Sequence, residues 1–157
     1  MIAPLDVLDV QSVFDARDAI EGKIAAPAPP RASSHGVEVL RALPMEIDTA
    51  GRRQRDYRMF REHDASLHMA LAELASNRFL SDALDRVWKV NSTLWHLFVS
   101  LRGTDEVHFL PHNGVIESIN RRDSEAARAE MARHIAASKD LMHSRLWGSS
   151  TSQARRV

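Results

Sequence analysis

The chain has 157 residues and a mass of 17.6 kDa, which suits one domain that can bury a core without disulfides. Its 21 lysines and arginines balance 21 aspartates and glutamates, which excludes the overall basic excess of a dedicated nucleic-acid-binding protein. The absence of cysteine excludes thiolate metal sites, so a metal would need histidine and carboxylate ligands. Without a signal-like start or a long apolar run, we expect a cytoplasmic chain with no membrane contact.

Apolar residues recur at spacings of three and four along most of the chain, which predicts an all-α fold. Six predicted helices follow in chain order: about Val7–Ala25, a weaker one at Gly36–Leu43, Gln54–Ser76, Phe79–Leu101, a short one that starts at Pro111, and one capped by Asp123 or Ser124.

The segments between these helices predict one domain rather than two. The sequence PAPPRASS at 27–34 is too short to separate domains, so we predict a turn within the fold. Asn77 is predicted to end the third helix, because asparagine tolerates the left-handed conformation. The domain would then span residues 1–146, followed by a disordered tail at 147–157.

Four polar residues fall on the inward faces of predicted helices. Asp64 and His68 are four residues apart, so a helix rotates them by only about 40° and separates them by roughly 6 Å. His112 and His134 lie inward on two further helices. One carboxylate and three neutral imidazoles suit a single divalent transition ion, for which we expect zinc ahead of nickel, manganese or iron. Taken singly, each residue is also compatible with a core polar group satisfied by its neighbours.

Two further polar residues are candidates for binding a small ligand. Arg17 lies on the inward face of the first helix, where a buried guanidinium must face an anion. It could pair with Asp64 or Glu21, or hold the carboxylate of a ligand beside the cation. Asn91 lies on an apolar line of the fourth helix and could hydrogen-bond the same ligand or the backbone. We treat Arg17 and Asn91 as candidate effector-binding residues.

Other charged residues are predicted to face solvent. A basic ridge on the third helix is better explained by a solvated face than by a nucleic-acid patch; it comprises Arg52, Arg55, Arg58 and Arg61. The remaining histidines are predicted to be exposed, namely His35, His63, His96, His108 and His143. The sequence contains none of the familiar nucleotide-binding, serine-hydrolase or zinc-protease motifs.

The order of these motifs resembles the C-terminal ligand-binding domain of GntR-type transcription regulators of the FadR class, called the FCD domain. Three segments carry the resemblance: DARDAIEGKIAA, DASLHMALAELASNRFL and HNGVIESINRRDSEAARAEMARHI. The four candidate metal ligands follow one another at intervals of 4, 44 and 22 residues, which also fits this family. The resemblance extends over about residues 7–143.

This resemblance implies an antiparallel bundle of six to seven helices around a central cavity that binds a metal and a carboxylate-bearing effector. It places Asp64, His68, His112 and His134 at the metal-ligand positions and Arg17 at an effector position. It also implies a regulatory homodimer that is not an enzyme. No segment resembles the winged helix-turn-helix of such regulators, so we expect this chain alone to bind no DNA.

The same residues are compatible with two other functions. A metal-dependent hydrolase or lyase could use metal-bound water as its nucleophile. Against this, the inward faces offer no obvious second carboxylate as a general base, because Glu117, Glu125 and Glu130 are predicted to face away. A metal-free structural bundle, in which the inward histidines and aspartate pair with one another, is the third alternative.

Overall fold

The computed structural model of the protein describes residues 7–43, 57–102 and 110–147, and these ranges contain seven helical segments and no strand. They are α1 (Val7–Ala25), α2 (Ala28–Arg31), α3 (residues 34–43), α4 (Tyr57–Ala75), α5 (Arg78–Arg102), α6 (Asn113–Asn120) and α7 (Ser124–Trp147). The predicted all-α bundle is confirmed. None of the described helices has the length and apolarity needed to cross a lipid bilayer.

The core forms around α1, which packs against α4, α5 and α7. Apolar side chains on the inward faces of the helices supply this core, and the largest of those with less than 2% exposure are Phe14, Ile24, Leu40, Leu67, Leu71, Leu84, Leu94, Phe98, Ile119 and Met131. Burial of these side chains is the main contribution that favours folding.

The proline-rich segment is helical in part, which corrects the prediction of a plain turn at 27–34. Pro29 and Pro30 lie in the single turn of α2, where their missing N–H groups cost little because first-turn donors have no acceptor within the helix. The Arg31 guanidinium donates a hydrogen bond to the Ala75 carbonyl at the end of α4. The prolines therefore end α1 as predicted. The segment that contains them then passes the C-terminal end of α4.

The prediction that Asn77 ends α4 in the left-handed conformation is wrong. Ser76 adopts that conformation, with a φ of 53°. The Asn77 Oδ1 atom instead accepts hydrogen bonds from the backbone N–H groups of Phe79 and Leu80, each at 3.2 Å, and so caps α5. The first N–H groups of a helix lack partners within the helix, whereas its last turn leaves unpaired carbonyl groups. The Asn77 oxygen can therefore bond the start of α5, but it has no donor to accept from at the end of α4.

The start of α6 also differs from the prediction. The helix begins at Asn113 rather than Pro111, and His112 occupies the N-cap position without using its side chain as a cap. Its imidazole is therefore available to the bundle interior. The next helix begins as predicted, because Asp123 Oδ1 accepts a hydrogen bond of 2.9 Å from the Ala126 N–H at the start of α7.

Helix α3 begins at residue 34, two positions before the predicted start, because Ser33 Oγ accepts a hydrogen bond from the Gly36 N–H. Several predictions fall outside the described residues. They concern Arg52 and Arg55, the side chains of Arg58 and Arg61, the side chain of His63, residue His108 and the tail beyond Trp147.

Replacing Ser76 by glycine should stabilise the protein by about 1 kcal/mol, because glycine adopts a positive φ without a Cβ penalty. The same replacement at exposed Ser66, inside α4, should destabilise it by about 0.5 kcal/mol, since glycine is a poorer helix former than serine. Denaturant titration measures both changes. Two effects of the same sign would contradict the assigned helix end.

Candidate metal centre

The four predicted metal ligands come together inside the bundle. Each offers one ligand atom, and these atoms all lie within 4.8 Å of one another. Asp64 and His68 project from α4, His112 from the N-cap of α6, and His134 from α7. The exposed fraction is 1% for His68 and His112, 9% for His134, and 25% for the Asp64 side chain. The predicted convergence is thus present, and the role of the four as ligands stays a prediction.

The two shortest of three distances measured within this cluster match those between ligands of one ion. His68 Nε2 lies 3.0 Å from His112 Nε2 and 3.9 Å from Asp64 Oδ1, and His112 Nε2 lies 3.4 Å from the same oxygen. Two atoms each about 2.1 Å from a transition ion lie roughly 3.0 Å apart at a right angle and roughly 3.4 Å apart at the tetrahedral angle. The 3.0 Å contact also suits a hydrogen bond between neutral imidazoles, which is the metal-free alternative.

A buried carboxylate on α1 contacts the far side of one of these imidazoles. Glu21 Oε2 lies in direct contact with His68 Nδ1, and both side chains are at most 1% exposed. This contact corrects the expectation that the inward faces hold no second carboxylate. Paired carboxylate and histidine groups of this kind commonly stand behind metal ligands in proteins.

Arg17 completes the buried network on α1. Its Nε donates to Glu21 Oε1 at 2.7 Å, so of the two partners predicted from the sequence the structure selects Glu21. The Arg17 guanidinium lies 4.7 Å from the centre of the Trp88 ring, and the same ring lies 4.8 Å from that of His68. Trp88 therefore packs against both the Arg17 guanidinium and the His68 imidazole.

Several of these groups have strongly shifted pKa values. Burial lowers the pKa of His134 from 6.5 to about 2, and the neighbouring His112 and His68 lower it further in the same direction. Burial first, and then His68, also lower the pKa of His112 well below 6.5. Burial by itself would raise the pKa of Glu21, but Arg17 and His68 hold it well below its ordinary value. At neutral pH His112 and His134 are therefore unprotonated, as metal binding requires.

Two buried polar groups near these helices have unused hydrogen-bonding capacity. Arg17 Nη2 has no hydrogen-bond partner among the described residues, although the side chain is 1% exposed. Asn91 is fully buried, and neither its amide nitrogen nor its amide oxygen is paired within the described part of the chain. The backbone-bonded alternative for Asn91 is therefore not observed. Because unpaired buried donors and acceptors are costly, both groups suit a bound polar molecule.

The cluster approaches the surface beside His134. A pocket of about 200 Å³ opens there, and His134, Glu130 and Arg133 of α7 line it together with residues at the start of α6. Glu130 is only half-buried and faces this pocket, which corrects the prediction that it points away from the site. It pairs with Arg133 at 2.6 Å. Glu117 and Glu125 are exposed, as predicted.

Sequence reasoning missed Glu21 and Trp88 as members of the site. Glu21 lies four residues after Arg17, and this spacing by itself predicts only an ion pair between the two side chains. Trp88 lies three residues before Asn91, which is a helical spacing on the inward face of α5. Both spacings were visible in the sequence, but neither indicates which helix lies opposite. His35, His96 and His143 are exposed, as predicted.

Acid should destabilise the metal-free protein. Below about pH 6.5 the unfolded chain takes up protons on His112 and His134, whereas the folded chain does not, so the free energy of unfolding falls with pH. The expected loss is about 1 kcal/mol per pH unit for each histidine. Below about pH 4.5, Glu21 adds to the loss because its pKa is depressed by folding. Denaturant titrations in EDTA between pH 7.5 and 5.5 measure this slope.

A matched pair of variants isolates the histidine contribution. His134→Asn should reduce the slope by roughly half, whereas His35→Asn at an exposed position should leave it unchanged. A free energy of unfolding that stays constant from pH 7.5 to 5.5 would mean that the imidazoles are not buried in their neutral form.

Comparison with known families identifies the fold of this chain. The family model of the FCD domain matches residues 12–137, which include the four clustered side chains, Arg17, Glu21 and Asn91. A search of curated proteins finds no match. The family resemblance predicted from the motifs is therefore confirmed. Because the matched region makes up most of the sequence, the chain belongs to the FCD domain family.

Proposed function

We propose that this chain is the sensing and dimerisation domain of a GntR-type transcription regulator, and that it binds a small organic acid with the help of a divalent transition metal ion. The observation that carries this proposal is the convergence of Asp64, His68, His112 and His134. An FCD domain is a regulatory ligand-binding domain, which favours sensing over catalysis. Such a domain is expected to work in the cytoplasm as a homodimer.

The donor set supports the metal. Asp64 would supply a carboxylate oxygen, and the three histidines would supply imidazole nitrogens, a combination that zinc, nickel, manganese and iron accept. Zinc is the first expectation. When bound, the ion would offer an electropositive centre to an oxygen of the effector. The chain's own residues would hold that centre beside the buried imidazoles of His68 and His112.

The charge balance of the interior supports an anionic effector. A divalent ion brings two positive charges and Arg17 brings a third, whereas Asp64 and Glu21 bring two negative charges. One positive charge remains, and it is costly in a buried site without a counterion. A carboxylate bound there would neutralise it.

The unused hydrogen-bonding groups support the same class of ligand. Arg17 Nη2 can donate to a carboxylate oxygen while Arg17 Nε stays on Glu21. The Asn91 amide can donate and accept, which suits an oxygen-rich molecule. We therefore assign effector binding to Arg17 and Asn91.

The buried carboxylate does not favour the enzyme alternative. Both oxygens of Glu21 are engaged, one by Arg17 and the other by His68. A general base must be able to reach the proton that it abstracts, and Glu21 is separated from the cluster by the imidazole of His68. Ligand sensing, unlike catalysis, does not require a general base, so it is compatible with a Glu21 carboxylate that is held by Arg17 and His68.

Effector occupancy would act through α1. This helix carries Arg17 and packs against α4, α5 and α7, which also carry the other proposed binding residues apart from His112. A ligand that binds one helix arrangement better than another shifts the population toward it. In a homodimer, such a shift would alter the spacing of attached DNA-binding domains.

Untagged protein should contain about one transition ion per chain, and His112→Ala or His134→Ala should abolish its binding. Each replacement removes one of the four proposed ligands. Elemental analysis of the purified protein measures the ion content. His35→Ala, at an exposed position, is the control and should retain the ion. Wild-type protein without metal after incubation with zinc would instead support the metal-free structural bundle.

A small carboxylic acid should raise the melting temperature of the metal-loaded protein but not of EDTA-treated protein. At 100-fold excess over the Kd, the expected rise is about 5–10 °C, because the ligand stabilises only the folded state. Thermal denaturation against a panel of organic acids measures it. Asn91→Leu keeps the branching of the side chain but removes the amide, so it should reduce the rise.

The same panel separates the proposed function from the alternative enzyme. An acid that binds and is recovered unchanged after long incubation supports sensing. Metal-dependent turnover of any acid would overturn the sensing assignment, and a flat response across a chemically broad panel would contradict an organic-acid effector.

A further inference from the structure

We propose that Glu21 is a positioning residue of the metal centre, which fixes the tautomer of His68 so that Nε2 presents its lone pair to the cation. This inference rests on the metal site proposed above. It assigns a specific task to a carboxylate that would not itself bind the ion.

The contact between Glu21 and His68 determines where the imidazole proton lies. An ionised carboxylate only accepts hydrogen bonds, so the approach of Glu21 Oε2 to His68 Nδ1 requires a proton on that nitrogen. A neutral imidazole then has its one free lone pair on Nε2. This is the atom that faces His112 Nε2 at 3.0 Å and Asp64 Oδ1 at 3.9 Å.

Arg17 and Trp88 hold Glu21 in the orientation that this task needs. Arg17 Nε binds Glu21 Oε1 at 2.7 Å, so the other oxygen, Oε2, is directed to His68. The guanidinium is in turn packed over the Trp88 ring at 4.7 Å. Arg17, Glu21 and His68 are each at most 1% exposed, so bulk water does not compete for these contacts.

A purely structural role for Glu21 makes a different prediction. If Glu21 served only as the counterion of Arg17, the tautomer of His68 would not depend on it. Replacing Glu21 would then lower the metal affinity only to the extent that it disturbs the fold. A positioning role links the carboxylate to both the tautomer and the affinity.

The test uses the full untagged chain and zinc alone as the probe. Nitrogen-15 NMR of the metal-free wild-type protein should show His68 with its proton on Nδ1. Glu21→Gln keeps the side-chain size but removes the charge, and should weaken zinc binding 10-fold to 100-fold in a chelator competition. Asp18→Asn removes one charge from an exposed position of the same helix and should leave zinc affinity unchanged.

The outcomes separate this inference from the proposed function. Wild-type protein that binds no zinc would refute the metal site, whereas the NMR measurement would still report the tautomer. A proton on His68 Nε2 in the wild-type protein would overturn the inference, as would a folded Glu21→Gln variant with wild-type affinity. If Glu21→Gln does not fold because Arg17 loses its counterion, the wild-type tautomer decides the question.

Discussion

Three imidazoles and a buried carboxylate lie in the interior of this helical bundle, and the fold must offset the cost of removing them from water. Protein contacts offset part of this cost, because Arg17 pairs with Glu21 and Glu21 Oε2 lies against His68 Nδ1. The remaining nitrogen of His68 faces His112 and Asp64. A cation shared by the clustered groups would bind their lone pairs, and this interaction would connect α4, α6 and α7 at one point.

Arg17 links the proposed metal site to the proposed effector site. Its Nε is committed to Glu21, while its Nη2 remains available inside the bundle. An acid bound to that nitrogen would therefore contact the same guanidinium that orients the carboxylate behind His68. Reciprocal coupling of metal and effector affinity follows if both ligands favour the same position of this side chain.

Periodicity and residue chemistry predict much of this structure. The inward spacing of Asp64 and His68 requires only the geometry of one helix, and the observed cluster includes both. The contacts of Glu21 and Trp88 with His68 could not be predicted, because they depend on how α1 and α5 pack against α4, which single-helix patterns do not specify. The Ser76–Asn77 turn was misassigned because asparagine suits both the end of one helix and the start of the next.

Diffraction from a crystal grown with zinc, measured above and below the zinc absorption edge, tests the central claim most directly. The expected result is one anomalous peak that appears only above the edge, about 2.0–2.2 Å from an Asp64 oxygen and from one nitrogen each of His68, His112 and His134. A map with no peak among these four side chains, with the imidazoles hydrogen-bonded to one another instead, would contradict it.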